Sequence, residues 1–290
     1  MDCYQPPKTE YVQNVAAKTN DEVQKVEDVK KNVREAYGKV AEANNQNQCC
    51  GNSRSCCGVS AKPDTEYSKE LGYTQEEINN APEGANMGLG CGNPPAIAAL
   101  RQGETVLDLG AGGGFDAFLA SRKVGPKGKV YGVDMTPEML SKARSNAVKN
   151  GYENVEFLLG EIEHLPLPND TIDVVISNCV VNLSTNKAQV FREAFRVLKN
   201  GGRIAISDMV ANKPLPSEMI NNKELYCNCI SGAMPINELK KVLSQAGFVD
   251  IVVEPQENSR QFIKDWVPGS DAENYVVSAK IKAVKPKTKL

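Results

Sequence analysis

Residues 105–116, with the sequence TVLDLGAGGGFD, constrain the fold of this chain more than any other stretch. The first five residues form a short apolar run typical of a buried strand, and a helical pattern follows the glycines directly. Gly110, Gly112 and Gly114 let a ligand approach the backbone closely, because no Cβ is in the way. The helix N-terminus also presents free backbone N–H groups at this point. The stretch therefore predicts a strand–turn–helix unit that holds a cofactor.

Two cofactor classes can use such a turn. Residues 112–117 satisfy the dinucleotide fingerprint G-x-G-x-x-A. Asp108 argues against a dinucleotide, because it would place negative charge beside a pyrophosphate, whereas the sulfonium and ammonium cations of S-adenosylmethionine would be attracted to a carboxylate. Asp134, which ends the next predicted strand, suits the ribose hydroxyls of either cofactor. At this point S-adenosylmethionine is favoured by the charge of Asp108.

Two further stretches extend the pattern: residues 157–167, FLLGEIEHLPL, and residues 172–178, IDVVISN. With these motifs in order and spacing, residues 80–255 resemble the S-adenosylmethionine-dependent methyltransferases of the class I, Rossmann-like fold. The resemblance assigns the methionine part of the cofactor to Asp108, Gly110, Gly112 and Gly114, the ribose to Asp134, and the adenine edge to Glu161 and Ile162, with Met135 and Asn178 as further cofactor contacts.

The order of apolar runs predicts alternating strands and helices, and therefore a mostly parallel, doubly wound α/β sheet with its ligand crevice at the carboxyl ends of the strands. A further helix is expected to end at residues 200–202, Asn-Gly-Gly. By the resemblance the last strand is antiparallel. The predicted strands are 105–109, 129–133, 155–159, 172–177, 203–207, 248–254 and 274–284, and the predicted helices include 115–123, 137–149 and 236–246.

Composition limits the function classes. A chain of 290 residues is long enough for one substantial α/β domain and an extension. A formal net charge of -2 gives no electrostatic case for nucleic-acid binding. The apolar runs are shorter than a membrane span needs, and the first residues lack the basic region and apolar core of a signal peptide. We therefore expect a cytoplasmic protein that acts without nucleic acid or membrane.

Nine cysteines are more than a cytosolic domain needs, and they are clustered. In a reducing compartment such thiols are more often metal-binding or catalytic than cross-linked. Cys179 follows the fourth core strand, Cys91 lies in a Gly- and Pro-rich loop that is able to cover the cofactor, and Cys229 follows the fifth strand. Three thiols beside a methyl donor suit a soft, thiophilic substrate. An organic acceptor would instead require a general base, and the single histidine, His164, lies in the adenine-side turn.

The cysteine segments narrow the resemblance. Residues 90–94 (GCGNP), 176–183 (ISNCVVNL) and 229–233 (CISGA) resemble the signature segments of the arsenite methyltransferases. This resemblance implies that Cys179 and Cys229 hold trivalent arsenic with Cys91 as third ligand. The lone pair on arsenic would then accept the methyl group of S-adenosylmethionine.

The resemblance also implies a redox step. Methyl transfer formally raises arsenic to the pentavalent state, and two cysteines that form a disulfide can return the electrons. Cys91 and Cys49 are the expected pair, although Cys50, Cys56 and Cys57 lie in the same loop. Thioredoxin or a small thiol would regenerate the enzyme by thiol–disulfide exchange. The expected small-molecule substrate is arsenite, bound as a thiol complex.

These expectations divide the chain into four parts. Residues 1–80 form an N-terminal helical extension with a Cys-rich loop, 81–208 the cofactor-binding core, 209–235 a metalloid-binding insertion, and 236–290 the end of the core with a basic, solvated tail. The apolar stripe over residues 23–40 predicts a helix that packs against the catalytic domain.

Two other functions remain open from the sequence. One is a methyltransferase for an organic metabolite of quinone or sterol type, in which the cysteines belong to the core. The other is a metalloid- or zinc-binding sensor without turnover that uses residues 49–57, CCGNSRSCC, although this loop lacks a C-x2-C zinc knuckle.

Overall fold

A computed structural model describes residues 20–43 and 64–287 of the chain. Predictions that fall on residues 1–19, 44–63 and 288–290, including those on Cys49 and the Cys-rich loop, lie outside the described residues. No helix within the described part is both long and apolar enough to cross a membrane.

Helices and strands alternate through the described residues. The helices are α1 (Asn20–Ala43), α2 (Asp64–Glu70), α3 (Gln75–Asn80), α4 (Pro94–Ala98), α5 (Phe115–Val124), α6 (Pro137–Lys149), α7 (Lys187–Val197), α8 (Ser217–Ile220), α9 (Lys223–Cys227), α10 (Ile236–Gln245) and α11 (Arg260–Trp266). The strands are β1 (Thr105–Leu109), β2 (Lys129–Asp134), β3 (Val155–Leu159), β4 (Ile172–Asn178), β5 (Leu198–Ala211), β6 (Met234–Pro235), β7 (Val249–Gln256) and β8 (Val276–Val284).

The strands form one sheet in the order β3-β2-β1-β4-β5-β8-β7, with the short β6 paired to the end of β5. Strands β1 to β5 are parallel, and β8 is antiparallel to both of its neighbours. The register pairs Leu109 with Val133 on one side and with Ser177 on the other, so that β1, β2 and β4 end at the same edge. The predicted doubly wound sheet with an antiparallel last strand is confirmed.

Helices cover both faces of the sheet. On one face Phe191 of α7 and Leu243 of α10 are buried in the core, and on the other Phe118 of α5 and Leu140 of α6 are buried. The strands between them are therefore apolar on both faces, as parallel strands in such folds must be.

Helix α1 packs against α6, as the apolar stripe predicted. Ala41 of α1 is buried with Met87 and Met139, and Tyr37 packs at the edge of this cluster. Helix α1 thus packs onto the domain at the sheet edge where β1 and β2 end.

Several elements after β4 differ from the sequence prediction. Helix α7 ends at Val197, because the chain enters β5 at Leu198 and residues 200–202 form an irregular part of that strand. The pairing of β4 with β5 shifts register at this place, which accommodates the Asn-Gly-Gly segment. Strand β5 also continues to Ala211, and α11 lies in a region for which the sequence pattern predicted no element.

The basic tail is not solvated throughout, contrary to the prediction. Lys285 is only 8% exposed. Its Nζ donates to Asp170 Oδ1 at 2.7 Å and to the backbone oxygens of Phe195 at 2.9 Å and Leu198 at 2.7 Å. One cation thus satisfies two backbone carbonyls at the junction of α7 and β5.

Replacing Lys285 with alanine will lower the free energy of unfolding by about 1–3 kcal/mol, because two carbonyls lose their shared donor. Denaturant unfolding measures this change. The control is Lys282→Ala, which removes an exposed ion pair to Glu254 and will cost less than about 1 kcal/mol. Equal losses in the two variants would contradict the role given to Lys285.

Candidate active site

A cleft of about 1250 Å³, part of it open to solvent, lies at the carboxyl edge of the parallel strands. Its wall is built from the glycine turn, the ends of β2 and β4, the loop before α4, helix α1 and the segment after β5. Among the lining residues are Lys30, Val33, Tyr37, Met87, Gly90, Asp108, Gly110, Gly112, Asp116, Asp134, Met135, Ile162, Asn178, Cys179, Cys227, Asn228, Cys229 and Trp266.

The glycine turn needs glycine for close packing as well as for its backbone conformation. Gly110 has φ 68°, and a Cβ there would lie 2.4 Å from Cγ2 of Val180. The N–H of Gly112 donates to Asp134 Oδ2 at 2.9 Å, which fixes the end of β2 against the turn. Gly114 does not line the cleft, because it faces the aromatic core at Phe118. Its predicted contact with the cofactor stays a prediction.

Three carboxyl groups converge on the cleft. Burial raises the pKa of Asp108 well above its usual range, and the nearby carboxyls of Asp116 and Asp134 raise it further. Burial raises the pKa of Asp116 to about 6, although hydrogen bonds from Tyr73 and Asn178 oppose the shift. Burial also raises the pKa of Asp134. The cluster therefore favours a ligand that brings positive charge.

Asp116 was missed by the sequence analysis. It is the second residue of α5, where an acidic side chain is commonly explained by the helix dipole alone. In the structure it is 7% exposed and accepts hydrogen bonds from Tyr73 Oη at 2.6 Å and Asn178 Nδ2 at 3.1 Å. The sequence feature that could have predicted its place in the site is its position in the stretch 105–116, two residues after Gly114.

Asn178 connects the cofactor edge to the loop that carries Cys91. Its Oδ1 accepts from the N–H of Cys91 at 2.9 Å, and its Nδ2 donates to Gly92 O at 2.9 Å. The other side of the loop is fixed by Ser278, whose Oγ donates to Cys91 O at 2.7 Å. A Cβ on Gly92 would lie 2.3 Å from Ser207 Oγ, so the loop approaches β5 closely. The Cys91 segment is thus anchored to β4, β5 and β8, and its predicted role as a cover for the cofactor stays a prediction.

The predicted adenine edge is only partly on the cleft. Ile162 and Met135 line it, whereas Glu161 does not. The Glu161 carboxylate instead accepts from Lys30 Nζ of α1 at 2.6 Å, and Arg34 lies 3.9 Å away. Lys30 itself lines the cleft. An adenine contact by Glu161 stays a prediction.

The three predicted thiols, Cys91, Cys179 and Cys229, are all buried and belong to one packed cluster. The Sγ atoms of Cys179 and Cys229 lie within 4.8 Å of one another and both residues line the cleft, whereas among the described residues Cys91 does not complete a three-thiol set within that distance. The Sγ–H of Cys229 donates to the backbone oxygen of Cys179 at 2.7 Å. Cys179 and Cys229 each have φ 59°, a left-handed conformation that is rare for cysteine and typical of functional sites.

The environment keeps Cys179 and Cys229 protonated at neutral pH. Hydrogen bonds with Cys229 and Cys91, and burial, raise the pKa of Cys179 well above its usual range. The pKa of Cys229 is raised to about 11, because burial and the nearby Asp208 outweigh a hydrogen bond with Cys179 that lowers it. The site therefore differs from that of a thiolate nucleophile, whose pKa is lowered.

A buried polar group beside the thiols was also missed. Asp208 in β5 is 2% exposed, and burial raises its pKa to about 7. Asn182 donates to it through both its backbone N–H and its side chain. Asp208 lies inside an apolar strand, so the sequence pattern gave it no distinct role.

Comparisons with known proteins agree with this geometry. A model of a methyltransferase domain family matches residues 100–247. An arsenite methyltransferase from Halobacterium salinarum is 52% identical over 219 residues, which are 76% of this chain and 56% of the relative. The human arsenite methyltransferase is 40% identical over 152 residues, which are 49% of this chain and 40% of the relative. The chain thus spans about half the length of these curated relatives.

The match with one solved structure extends over a larger share of both chains. The crystal structure of an arsenic(III) S-adenosylmethionine methyltransferase from Chlamydomonas reinhardtii has a TM-score of 0.57 and 33% identity to this chain. The match covers 79% of this chain and 75% of that one.

The residues present fit S-adenosylmethionine. The carboxyls of Asp108 and Asp116 match its cationic groups, and the glycine turn leaves room beside the backbone. Asp134 is half-buried at the end of β2, where a ribose contact is expected.

The affinity for S-adenosylmethionine will fall as the pH is lowered from 7 to 5. A cationic ligand binds the ionised carboxyls, and those with raised pKa values, including Asp116 near 6, become protonated in this range. Calorimetry will show that the affinity for S-adenosylmethionine falls by up to about tenfold per pH unit for each such carboxyl. Asp116→Asn will flatten the profile, whereas Asp250→Asn on exposed β7 will not. A flat wild-type profile would contradict the assignment.

The fold, the glycine turn, the carboxyl cluster and the grouped thiols agree with the matches in sequence and structure. The chain belongs to the arsenite methyltransferase family, within the S-adenosylmethionine-dependent methyltransferases of Rossmann-like fold.

Proposed function

We propose that this chain is an enzyme that transfers a methyl group from S-adenosylmethionine to trivalent arsenic, as part of arsenic detoxification. The observation that carries the proposal is the burial of Cys91, Cys179 and Cys229 in one packed cluster, two of them at the wall of a cleft that Asp108 and the glycine turn also line. The named activity of the relatives supports it. A cytoplasmic location fits such a role.

The protonated thiols suit arsenite as the incoming substrate. Arsenous acid, As(OH)3, reacts with three thiols to give an arsenic tris-thiolate and three waters, so each hydroxide leaves with a thiol proton. A small-thiol complex of arsenite exchanges in the same way and releases three small thiols. High thiol pKa values therefore do not hinder loading, since no free thiolate has to accumulate.

Arsenic(III) held by three sulfurs keeps a lone pair, which is the nucleophile. When bound, S-adenosylmethionine supplies an electrophilic methyl group. No proton has to be removed from the acceptor, so the chain's own residues act by positioning. The left-handed backbones of Cys179 and Cys229 and the anchored Cys91 loop fix the acceptor in place. Positioning of this kind can contribute on the order of 7–11 kcal/mol to a barrier.

The redox step belongs to the same proposal. The methylated product is formally pentavalent arsenic, and two electrons return it to the trivalent state. The Cys49 sulfur would attack the arsenic-bound sulfur of Cys91; the Cys49–Cys91 disulfide forms, the Cys91–As bond breaks with its electron pair left on arsenic, and the one proton of the Cys49 thiol is released. Thioredoxin or a small thiol would then reduce this disulfide by exchange.

Arsenic speciation tests the activity. Incubation with arsenite, S-adenosylmethionine and a thiol reductant will give methylated arsenic, and Cys179→Ser or Cys229→Ser will abolish it because arsenic loses a sulfur ligand. Cys227→Ser is the matched control, since Cys227 is also buried and lines the cleft but is not assigned to arsenic. It will retain methylation within a few-fold. Tight cofactor binding without any methylated arsenic would refute the proposal.

The order of methylation tests the role of Cys49. If Cys49 delivers arsenite to the thiol site, Cys49→Ser will slow the first methylation of arsenite more than the methylation of methylarsenite. Separate rates with the two substrates measure the difference. Equal slowing of both rates, or none, would count against this part of the proposal.

A further inference from the structure

Two of the thiols assigned to arsenic, those of Cys179 and Cys229, also lie close to the carboxylate of Asp208. The Sγ atoms of Cys179 and Cys229 and a carboxylate oxygen of Asp208 all lie within 4.8 Å of one another, and all three residues are buried. We propose that these residues form a second, overlapping donor set that binds a thiophilic divalent cation, Zn²⁺ or Cd²⁺. The arsenic set uses Cys91 with the same two thiols, whereas the divalent set replaces Cys91 by Asp208.

The chemistry of the ligands separates the two sets. Trivalent arsenic favours sulfur alone, whereas Zn²⁺ accepts thiolates together with a carboxylate oxygen, at about 2.3 Å and about 2.0–2.2 Å. In a tetrahedral site two such sulfurs lie about 3.8 Å apart. Side-chain shifts of about an ångström therefore bring the three atoms onto one ion. The fourth coordination position of the ion stays open toward the cleft, because Cys179 and Cys229 lie in the cleft wall.

The carboxylate is oriented as a ligand would be. Asp208 Oδ1 accepts from Asn182 Nδ2 at 2.9 Å and from Met209 N at 2.8 Å, whereas Oδ2 accepts from Asn182 N at 3.2 Å. The backbone N–H of Val181 also hydrogen-bonds to this carboxylate, so its position beside the two thiols is fixed. Asn182 Nδ2 also lies 3.3 Å from Cys229 O, so one side chain ties the carboxylate to the segment that carries the thiol. Contacts of this kind orient metal ligands.

The charges balance in either state. A divalent ion with two thiolates and one carboxylate carries one negative charge, and the ammonium of Lys187 interacts electrostatically with both Asp208 and Cys229. Loading the ion releases the two thiol protons to solvent. With arsenic, the tris-thiolate is neutral and Lys187 faces the carboxyls of Asp208 and Glu163.

Metal binding can be tested without arsenite or cofactor. Cd²⁺ is titrated into the full chain in which Cys49, Cys50, Cys56 and Cys57 are replaced by serine, and thiolate–Cd²⁺ absorbance is followed. We expect one Cd²⁺ per chain, and Asp208→Asn will weaken its binding more than about tenfold. Glu163→Gln is the matched control, because Glu163 is another buried carboxyl near Lys187 and lies outside the donor set. It will bind Cd²⁺ like the parent.

Cys91→Ser completes the test by the opposite pattern. Cys91→Ser will leave the affinity for Cd²⁺ within about threefold of the parent and will weaken arsenite binding. Asp208→Asn will weaken Cd²⁺ binding and will leave arsenite binding close to that of the parent. Loss of Cd²⁺ binding in Cys91→Ser, or unchanged binding in Asp208→Asn, would overturn the donor set. If Asp208→Asn does not fold, zinc X-ray absorption on the parent decides: two sulfur neighbours are expected, and three or none would overturn the proposal.

The functional consequence rests on the proposed arsenite methylation. Because the sets share Cys179 and Cys229, Zn²⁺ will inhibit methylation in competition with arsenite. If the chain binds Zn²⁺ but Zn²⁺ does not inhibit methylation, the result would count against the proposed function and would leave the cation site supported. Absence of metal binding in an enzyme that methylates arsenite would overturn the site alone.

Discussion

The parallel pairing of β1, β2, β4 and β5 is the constraint on which the rest of the site depends. Parallel strands in register end at one edge, so the residues that follow them must meet there. This is how Asp108, Asp134 and Cys179 come to share one cleft although they are far apart in sequence. Cys91 and Cys229 arrive from loops, and each is fixed by hydrogen bonds to the sheet or to its neighbours.

Burial sets the electrostatics of this edge. The carboxyls of Asp108 and Asp116 and the thiols of Cys179 and Cys229 all have raised pKa values, so in the protein alone their neutral forms persist to a higher pH than usual. A cationic cofactor favours ionisation of the carboxyls. In the proposed function, arsenite condenses with the thiols as water leaves. The two halves of the cleft are thereby suited to different partners, one charged and one thiophilic.

Much of this arrangement was predictable from the sequence, because it follows from local patterns. The apolar runs predicted β1 to β4 to within one residue, and the position of Cys179 after β4 placed it at the edge. The roles of these residues toward cofactor and arsenic rest on the family resemblance and stay predictions.

Other features depend on contacts that no local pattern reports. Lys285 looks like part of a solvated tail until the pairing of β5 with β8 brings it to Asp170 and the end of α7. Asp116 resembles an ordinary helix-start acid, and Asp208 comes directly after the predicted strand 203–207. Only the packed structure reveals that both are buried and hydrogen-bonded at the cleft.

Arsenic X-ray absorption on the arsenite-loaded chain, with Cys49, Cys50, Cys56 and Cys57 replaced by serine, tests the central claim most directly. The account predicts three sulfur neighbours around arsenic, and two sulfurs with one oxygen when Cys91 is also replaced by serine. A first shell of oxygen alone, or one unchanged by the loss of Cys91, would contradict it.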